Sequence, residues 1–218
     1  MRGPLSRQGM AHRAAQDIPE GAYVNLGIGL PTMISNLLPP DREIILHTEN
    51  GMLGMGPVAS GENIDPDLIN AGKIPVMELP GAAYFHQADS FAMMRGGHLD
   101  ICVLGAFQVS TTGDLANWHT GDLDAIPAVG GAMDLAIGAK QVFVIMELFT
   151  RDGICKLLPE CSYPLTGIGC VDAVYTDYAV FRIANGEIAV EELFGDTTIG
   201  ELERLTGLCL SLNPPVGL

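Results

Sequence analysis

The sequence contains few basic residues and, for its length, few charges of either sign. Lys and Arg number 11 in 218 residues, against 26 Asp and Glu, which gives a formal net charge of −15. Proteins that bind nucleic acids or anionic membrane surfaces need clustered Lys and Arg, so the composition argues against both functions. Charged residues make up 17% of the chain, below the roughly 25% that is usual. This deficit indicates that another protein chain covers part of the surface.

Long hydrophobic runs and paired cysteines are also missing. The apolar runs are short, as in residues 142–146, and do not approach the ~20 residues of a membrane-spanning helix. The N-terminal residues MRGPLSRQGM lack the apolar core of a secretory signal. The five cysteines are odd in number and form no C-x-x-C pair, and the five histidines show no ligand spacing. We therefore expect a cytoplasmic protein with reduced cysteines and no bound metal.

Short apolar segments alternate with glycine-rich turns and helical patterns along the chain. This alternation predicts a single α/β domain over residues 1–218, with a mostly parallel open sheet flanked by helices. The predicted strands cover residues 22–26, 44–47, 100–104, 142–146, 171–175, 178–183 and 188–193. The predicted helices cover residues 6–17, a short segment after Pro31, 89–94, 132–139 and 198–207. Ligands bind at the carboxyl ends of such strands, where we expect Asn25 and Glu49 to lie.

The glycine motifs of nucleotide-binding proteins are incomplete. Gly27-Ile28-Gly29 follows a predicted strand, but Thr32 occupies the position of the third glycine of a dinucleotide fingerprint and Pro31 precedes it. The sequence has no P-loop, no H-E-x-x-H and no G-x-S-x-G motif. These absences argue against dinucleotide binding, zinc-peptidase chemistry and a serine-hydrolase site.

The segment HTENGMLGMGP, residues 47–57, carries the clearest chemical signal. It places Glu49 at the end of an apolar strand, followed by a predicted flexible turn rich in glycine. A strand end fixes the carboxylate, and the glycines allow a ligand to approach the backbone closely. Taken alone, the same pattern also fits an acidic residue that caps a turn or a helix.

The segment E-N-G-x-L-G-x-G-P resembles the catalytic segment of the beta subunits of class I CoA-transferases. Further blocks that resemble this family follow in order along nearly the whole chain: residues 21–31 (GAYVNLGIGLP), 67–73 (DLINAGK), 88–100 (ADSFAMMRGGHLD), 104–109 (LGAFQV), 113–118 (GDLANW), 130–135 (GGAMDL) and 164–167 (PLTG). The resemblance implies the beta-domain fold of these enzymes, of the NagB/RpiA/CoA-transferase-like type.

Two stretches, residues 84–89 and 117–131, resemble the family members that transfer CoA from succinyl-CoA to 3-oxoadipate. Relatives that use acetoacetate usually differ at both places, although transfer to acetoacetate is the alternative. Three residues depart from the family pattern: Thr48 replaces a Ser, Leu148 stands where a His is common, and Gln87 replaces a Ser or His. The last two departures concern the substrate and not the family.

The resemblance implies that Glu49 is the nucleophile and forms a covalent glutamyl-CoA thioester, with CoA esters as substrates and no tightly bound cofactor. A glutamate is ionised at neutral pH and needs no base to attack. Candidates for oxyanion stabilisation or CoA binding are Asn25, Gly27, Gly51, Lys73 and the backbone amides of Gly130 and Gly131. Candidates for the substrate pocket are His86, Arg95, His98, Asn117, Trp118 and His119.

The resemblance also implies a partner, because it covers only the beta half of these enzymes. An alpha subunit would supply the other half of the active site in a heterodimer or heterotetramer, and the chain alone would lack activity. Two other functions fit a similar fold: an isomerase of sugar phosphates or a deaminase-like enzyme, and a catalytically silent regulatory subunit. The intact Glu49 segment argues against both.

Overall fold

The computed structural model describes residues 4–39, 41–122, 124, 126–127 and 129–212; Ala128, within one of the family-like stretches, lies outside them. The strands are β1 (Tyr23–Leu26), β2 (Ile45–Thr48), β3 (Met52–Val58), β4 (Val76–Tyr84), β5 (Ile101–Leu104), β6 (Gln108–Ser110), β7 (Leu115–Ala116), β8 (Gln141–Ile145), β9 (Leu157–Leu158), β10 (Ala173–Tyr175), β11 (Ala179–Ala184) and β12 (Glu187–Leu193). The helices are α1 (Arg7–Gln16), α2 (Gln87–Arg95), α3 (Ala132–Gly138) and α4 (Ile199–Thr206), with 3₁₀ helices at Leu30–Asn36 and Gly61–Asn63.

Nine of these strands form one sheet in the order β12-β11-β10-β8-β5-β1-β2-β3-β4. The five central strands, from β10 to β2, are parallel to one another. An antiparallel pair extends the sheet at each edge, β3 with β4 on one side and β11 with β12 on the other. Strands β7, β6 and β9 form a small second sheet. The predicted α/β architecture with a parallel core is confirmed.

Helix boundaries follow the capping residues of the sequence. The Ser6 hydroxyl accepts a 3.1 Å hydrogen bond from the backbone N–H of Gly9 and begins α1. Thr198 accepts a 3.3 Å bond from the N–H of Glu201 and begins α4, which ends at Gly207 in the left-handed conformation. Such caps stabilise a helix by about 1 kcal/mol each, and they explain why these two helices were predictable.

Alternate residues of the central strands face two hydrophobic layers. On β5, Cys102 and Leu104 face the layer that includes Met94 of α2, whereas Ile101 and Val103 face the layer that contains Ala14 of α1. Strand β8 alternates in the same way. A parallel sheet that is covered on both faces needs such continuous apolar strands, and the packed layers hold the strand ends in place.

The prediction of a flexible turn after Glu49 is wrong for residues 52–58, which form β3. Gly54 has φ +83° and a Cβ there would lie 3.0 Å from Ala82 of β4. A Cβ at Gly56 would lie 3.0 Å from the carbonyl oxygen of Met77. The glycines therefore allow close, irregular pairing with β4, where the register shifts twice.

The parallel strands β1, β2, β5 and β8 end at one edge of the sheet, at Leu26, Thr48, Leu104 and Ile145. The residues that follow these ends form the loops over that edge. In the described residues, no helix is long and apolar enough to cross a membrane.

Candidate active site

A cleft with a volume of about 460 Å³ lies at the carboxyl edge of the parallel strands. Its walls follow β1, β5 and β8, and the loop before α3 closes one side. The lining is mostly apolar or glycine, and it includes four charged residues: Arg7, Glu49, Glu147 and Lys156. Parallel α/β sheets bind ligands at this edge, so the cleft is the candidate active site.

Glu49 enters this cleft directly after β2, with its carboxylate against the backbone of Gly131. A Cβ on Gly131 would lie 2.7 Å from Glu49 Oε2, so only glycine allows this approach. Burial raises the pKa of Glu49; a hydrogen bond from the Gly131 backbone acts in the opposite direction, and the negative charge of Asp134 adds to the rise. In the described part of the chain, no side chain donates a hydrogen bond to this carboxylate, which is therefore poorly stabilised as an anion.

A buried chain of hydrogen bonds supports the end of β2 from behind. The Asn25 amide donates to His47 Nδ1 at 3.0 Å, and His47 Nε2 lies 2.9 Å from the hydroxyl of Ser90. That hydroxyl donates to the carbonyl oxygen of Thr48 at 3.0 Å. With Nδ1 accepting, His47 is neutral and its Nε2–H donates to Ser90; burial lowers the pKa of His47 to about 4. The network fixes the backbone that precedes Glu49.

A small cavity lies next to this network and is lined by Asn25, Asn70 and Glu49. Asn70 Oδ1 accepts hydrogen bonds from the backbone N–H groups of Gly72 and Ile74, so its Nδ2 is the free end of the amide. Asn25 uses its Nδ2 on His47, which leaves Oδ1 free. Asn25 Oδ1 and Asn70 Nδ2 are buried without a partner among the described residues. The cavity thus offers one acceptor and one donor next to Glu49.

Five of the residues proposed from sequence line the cleft, namely Gly27, Glu49, Asn117, Gly130 and Gly131. The Asn117 amide is held on both sides: its Nδ2 donates to the Gly105 carbonyl oxygen at 3.0 Å, and its Oδ1 accepts from the hydroxyl of Thr166 at 2.6 Å. Asn25 lies behind the cleft, in the buried network. Gly51 does not line the cleft, and a Cβ there would overlap the carbonyl oxygen of Phe85.

The remaining candidates do not line this cleft. His86 caps α2 through a 3.1 Å bond from the N–H of Ala88, and Arg95 is exposed and pairs with Asp134 at 2.6 Å. The Trp118 ring lies 5.3 Å from the ring of His119, whose Nδ1 accepts from the N–H of Gly121.

Two further candidates are exposed at turns. His98 follows α2, and Lys73 occupies a left-handed turn with φ 59°. Neither contacts the cleft. The segments that resemble the CoA-transferase family thus contain residues with different structural roles. Only some of these segments contribute residues to the cleft that contains Glu49.

Sequence reasoning missed several residues that the structure brings to the site. His47, Ser90 and Asn70 lie within the family-like blocks beside Glu49 and α2, so those blocks carried a signal for them. No sequence signal pointed to Arg7 or Lys156, because these residues reach the cleft only through the packing of α1 and of the loop before β9. The two residues whose departure from the family pattern concerns the substrate lie in different environments. Leu148 is buried in the core, and Gln87 is exposed at the start of α2.

Comparisons with known proteins identify the family of the chain. The family model for coenzyme A transferases matches residues 7–196. The chain is 61% identical over 206 residues to a 3-oxoadipate CoA-transferase subunit of Pseudomonas putida, and the match covers 94% of this chain and 96% of that protein. It is 46% identical to a subunit of a probable succinyl-CoA:3-ketoacid coenzyme A transferase of Bacillus subtilis, over 92% and 93% of the two chains.

Among solved structures, the fold is similar to that of the acyl-CoA transferase YdiF of Escherichia coli O157:H7. The TM-score is 0.71 at 20% identity, over 96% of this chain and 41% of the YdiF chain. This chain thus spans about two fifths of the length of YdiF. The chain belongs to the coenzyme A transferase family.

Proposed function

We propose that this chain is the beta subunit of a CoA-transferase that moves CoA from succinyl-CoA to a 3-oxo acid, with 3-oxoadipate as the preferred acceptor. The observation that carries the proposal is the Glu49 carboxylate, which faces the cleft beside Gly131 without a side-chain donor among the described residues. Such a carboxylate is an available nucleophile, because few hydrogen bonds must be broken before it attacks.

The covalent steps of the proposed reaction take place between the substrates and Glu49. The carboxylate of Glu49 attacks the thioester carbonyl of succinyl-CoA and expels the CoA thiolate, which leaves a mixed anhydride. The thiolate then attacks the Glu49 carbonyl and releases succinate, forming the glutamyl-CoA thioester. The carboxylate of the 3-oxo acid attacks this thioester, and the released thiolate attacks the new acyl group, which frees Glu49. Each step exchanges a thioester C–S bond for an anhydride C–O bond or the reverse, so the overall reaction conserves one thioester and one carboxylate.

Each of these steps places a negative charge on an oxygen in a tetrahedral intermediate. A preorganised N–H donor lowers the barrier of such a step by about 3–4 kcal/mol. The Gly131 backbone, which already contacts the Glu49 carboxylate, is the donor that we assign to the Glu49 carbonyl oxygen. The neighbouring Gly130 and Gly27 leave room for the thioester in the cleft.

The choice of 3-oxoadipate is supported by the identity to the Pseudomonas putida protein and by residues 84–89 and 117–131. Asn117, in the second stretch, lines the cleft with a fixed amide. A second candidate acceptor is acetoacetate, because the chain is also 46% identical to the 3-ketoacid transferase chain of Bacillus subtilis.

We further propose that an alpha subunit covers the cleft. Apolar side chains are exposed at its rim, with Ile28 71% and Phe107 40% accessible. Exposed apolar groups around a cleft are typical of a protein interface. The relatives are named as subunits of larger enzymes, and this acidic chain offers few cations for the phosphates of CoA. The five cysteines are free, as is typical of proteins that act in the cytoplasm. We propose that CoA esters are the substrates and that the protein holds no resident cofactor.

The test is to measure initial rates with succinyl-CoA for the chain alone and for the complex with an alpha subunit of a 3-oxoadipate CoA-transferase. We expect turnover only for the complex, with a larger kcat/KM for 3-oxoadipate than for acetoacetate. A larger value for acetoacetate would assign the chain to the 3-ketoacid enzymes. Full turnover by the chain alone would contradict the role of a partner.

A further inference from the structure

Lys156 lies in the cleft without an acidic partner. It is half-buried, and its backbone is held by a 2.9 Å bond from its N–H to the carbonyl oxygen of Leu148, next to the end of β8. Among the described residues, no carboxylate oxygen lies within ion-pair distance of its ammonium. The other two lysines differ: Lys140 pairs with Asp100 at 2.7 Å, and Lys73 is exposed outside the cleft.

An unpaired, half-buried ammonium lowers the stability of the folded protein unless an anion pairs with it. Burial lowers the pKa of Lys156, and the charges of Glu147 and Asp177 offset only part of that cost. Glu147 also lines the cleft, and its carboxylate pairs with Arg7 at 3.0 Å. Glu147 therefore forms its ion pair with Arg7 and not with Lys156, and the Lys156 ammonium is available to a ligand.

The position of Lys156 relative to Glu49 fits a short acyl chain. Glu49 follows β2, and Lys156 is bonded beside the end of β8, with β1 and β5 between them. Neighbouring strands lie about 4.8 Å apart, so the ends of β2 and β8 are separated by roughly 14 Å. Glu49 and Lys156 both line the same cleft. A dicarboxylic acyl group of a few carbons, together with the reach of these two side chains, can span this separation.

We propose that Lys156 binds the distal carboxylate of dicarboxylic acyl groups, such as succinyl and 3-oxoadipyl, and so determines the specificity for them. This inference rests on the proposed function of the site. The competing anion is a phosphate of CoA, which offers the same chemistry to an ammonium. The phosphates are separated from the thiol by the long pantetheine arm, whereas the distal carboxylate lies a few bonds from the carbonyl that Glu49 attacks. The geometry therefore favours the carboxylate.

The test compares two thioesters with the same CoA moiety, succinyl-CoA and butyryl-CoA, which differ in the distal carboxylate. The rate constant for forming the enzyme-CoA thioester is measured on the complex with the alpha subunit. For Lys156→Met we expect a loss of about 10- to 100-fold with succinyl-CoA, the size of a charge-assisted hydrogen bond. With butyryl-CoA we expect a change of no more than about twofold, and Lys156→Arg should recover much of the succinyl-CoA rate.

Lys140→Met serves as the matched control, because it removes a lysine outside the cleft. If Lys156→Met does not assemble, Lys156→Gln gives the same comparison. Equal losses with both thioesters would assign Lys156 to a phosphate of CoA and overturn the proposal, and no loss with succinyl-CoA would overturn it as well. Failure of the unsubstituted complex to form any thioester would instead refute the proposed function.

Discussion

Two half-buried carboxylates of this protein, Asp17 and Glu49, show opposite shifts in pKa. Burial raises the pKa of both carboxylates. For Asp17 this rise is outweighed by the hydrogen bond from Tyr175 and by the hydrogen bond and charge of Arg13, and the charge of Arg182 lowers the pKa further. The Tyr175 hydroxyl donates to Asp17 at 2.7 Å, and Arg13 at 2.5 Å. The pKa of Asp17 therefore lies below its ordinary value, whereas that of Glu49 lies above it.

The difference separates a structural carboxylate from the one that we propose as the nucleophile. Asp17 joins α1 to β10 and β11, and Glu191 and Glu192 of β12 pair with the same two arginines. Every charge there has a partner, so the cluster stabilises the fold and offers nothing to a ligand. Glu49 has a backbone donor and an acidic neighbour, Asp134, and it faces a cleft. Its incomplete coordination leaves it free to form a bond.

The largest expected effect is that of Glu49→Gln, which removes the nucleophile. We expect turnover of the complex to fall by at least about 10³-fold. Because the folded state raises the pKa of Glu49, that residue stabilises the fold only at low pH and loses this contribution as the pH rises through its folded pKa. At pH 7 the urea midpoint of Glu49→Gln should therefore equal or exceed that of the unsubstituted protein. A clear drop would mean that Glu49 is structural.

Gly131→Ala tests whether the approach of Gly131 to Glu49 matters. The added methyl group would lie 2.7 Å from Glu49 Oε2 and push the carboxylate away from the N–H. We expect kcat to fall by about 10²- to 10³-fold, as for the loss of an oxyanion donor. Gly200→Ala in α4 is the control, since its Cβ would meet no atom within 4 Å. Equal activity of the two variants would contradict the assignment of Gly131.

Asp17→Asn tests the structural carboxylate. It removes one carboxylate that Arg13 and Arg182 share, while Glu191 still pairs with both, and we expect a loss of about 2 kcal/mol in the free energy of unfolding at pH 7. Since the pKa of Asp17 is lowered on folding, its contribution is present above about pH 4 and disappears as the pH falls through the folded pKa. Urea unfolding of both proteins at pH 7 and pH 3 measures this, and the gap should narrow at pH 3.

His47 makes the stability of the Glu49 region depend on pH in a different range. Its pKa is lowered to about 4 by burial, whereas an unfolded histidine titrates near pH 6.5. Between about pH 6.5 and pH 4, His47 is protonated in the unfolded chain but neutral in the folded chain. The free energy of unfolding should therefore fall by up to about 3 kcal/mol as the pH drops to 4. His47→Gln should remove that part of the pH dependence. An unchanged pH profile of the urea midpoint would mean that His47 is not held neutral.

The smallest effect concerns the charge of Asp134, which helps to raise the pKa of Glu49. Asp134→Asn should move the acidic limb of the kcat/KM profile to lower pH. Arg95→Gln should move it to higher pH, because Arg95 pairs with Asp134 at 2.6 Å and screens it. Shifts in the same direction for the two variants would show that Asp134 acts on Glu49 by something other than charge.

Local signals predict the fold better than they predict the site. The caps at Ser6 and Thr198 and the apolar strand before Glu49 act within a few residues, and the structure agrees with each of them. The glycines of β3 indicate a turn when only their neighbours in sequence are considered. They are explained instead by the close approach of β4, which lies about 25 residues away in sequence. Long-range pairing of this kind overrides local preference.

The site shows the same limit. The Glu49 segment indicates a strand end, and a strand end fixes which edge of the sheet a residue reaches. The side chains of His86, Arg95 and His119 bind partners outside the cleft, namely Ala88, Asp134 and Gly121, which sequence patterns do not reveal. Lys156 carries no sequence signal because its lack of an acidic partner is a property of the folded cleft. Charges that a fold leaves unpaired are visible only after packing is known.

The most direct test of the contrast between the two carboxylates is to locate the covalent intermediate. The complex with the alpha subunit is mixed with succinyl-CoA, quenched in acid and digested, and the peptides are analysed by mass spectrometry. We predict a peptide with CoA attached at Glu49, lost on treatment with hydroxylamine and absent from Glu49→Gln. An active enzyme that carries CoA on Glu147, the other cleft carboxylate, or on no residue of this chain, would contradict the assignment of Glu49 as the nucleophile.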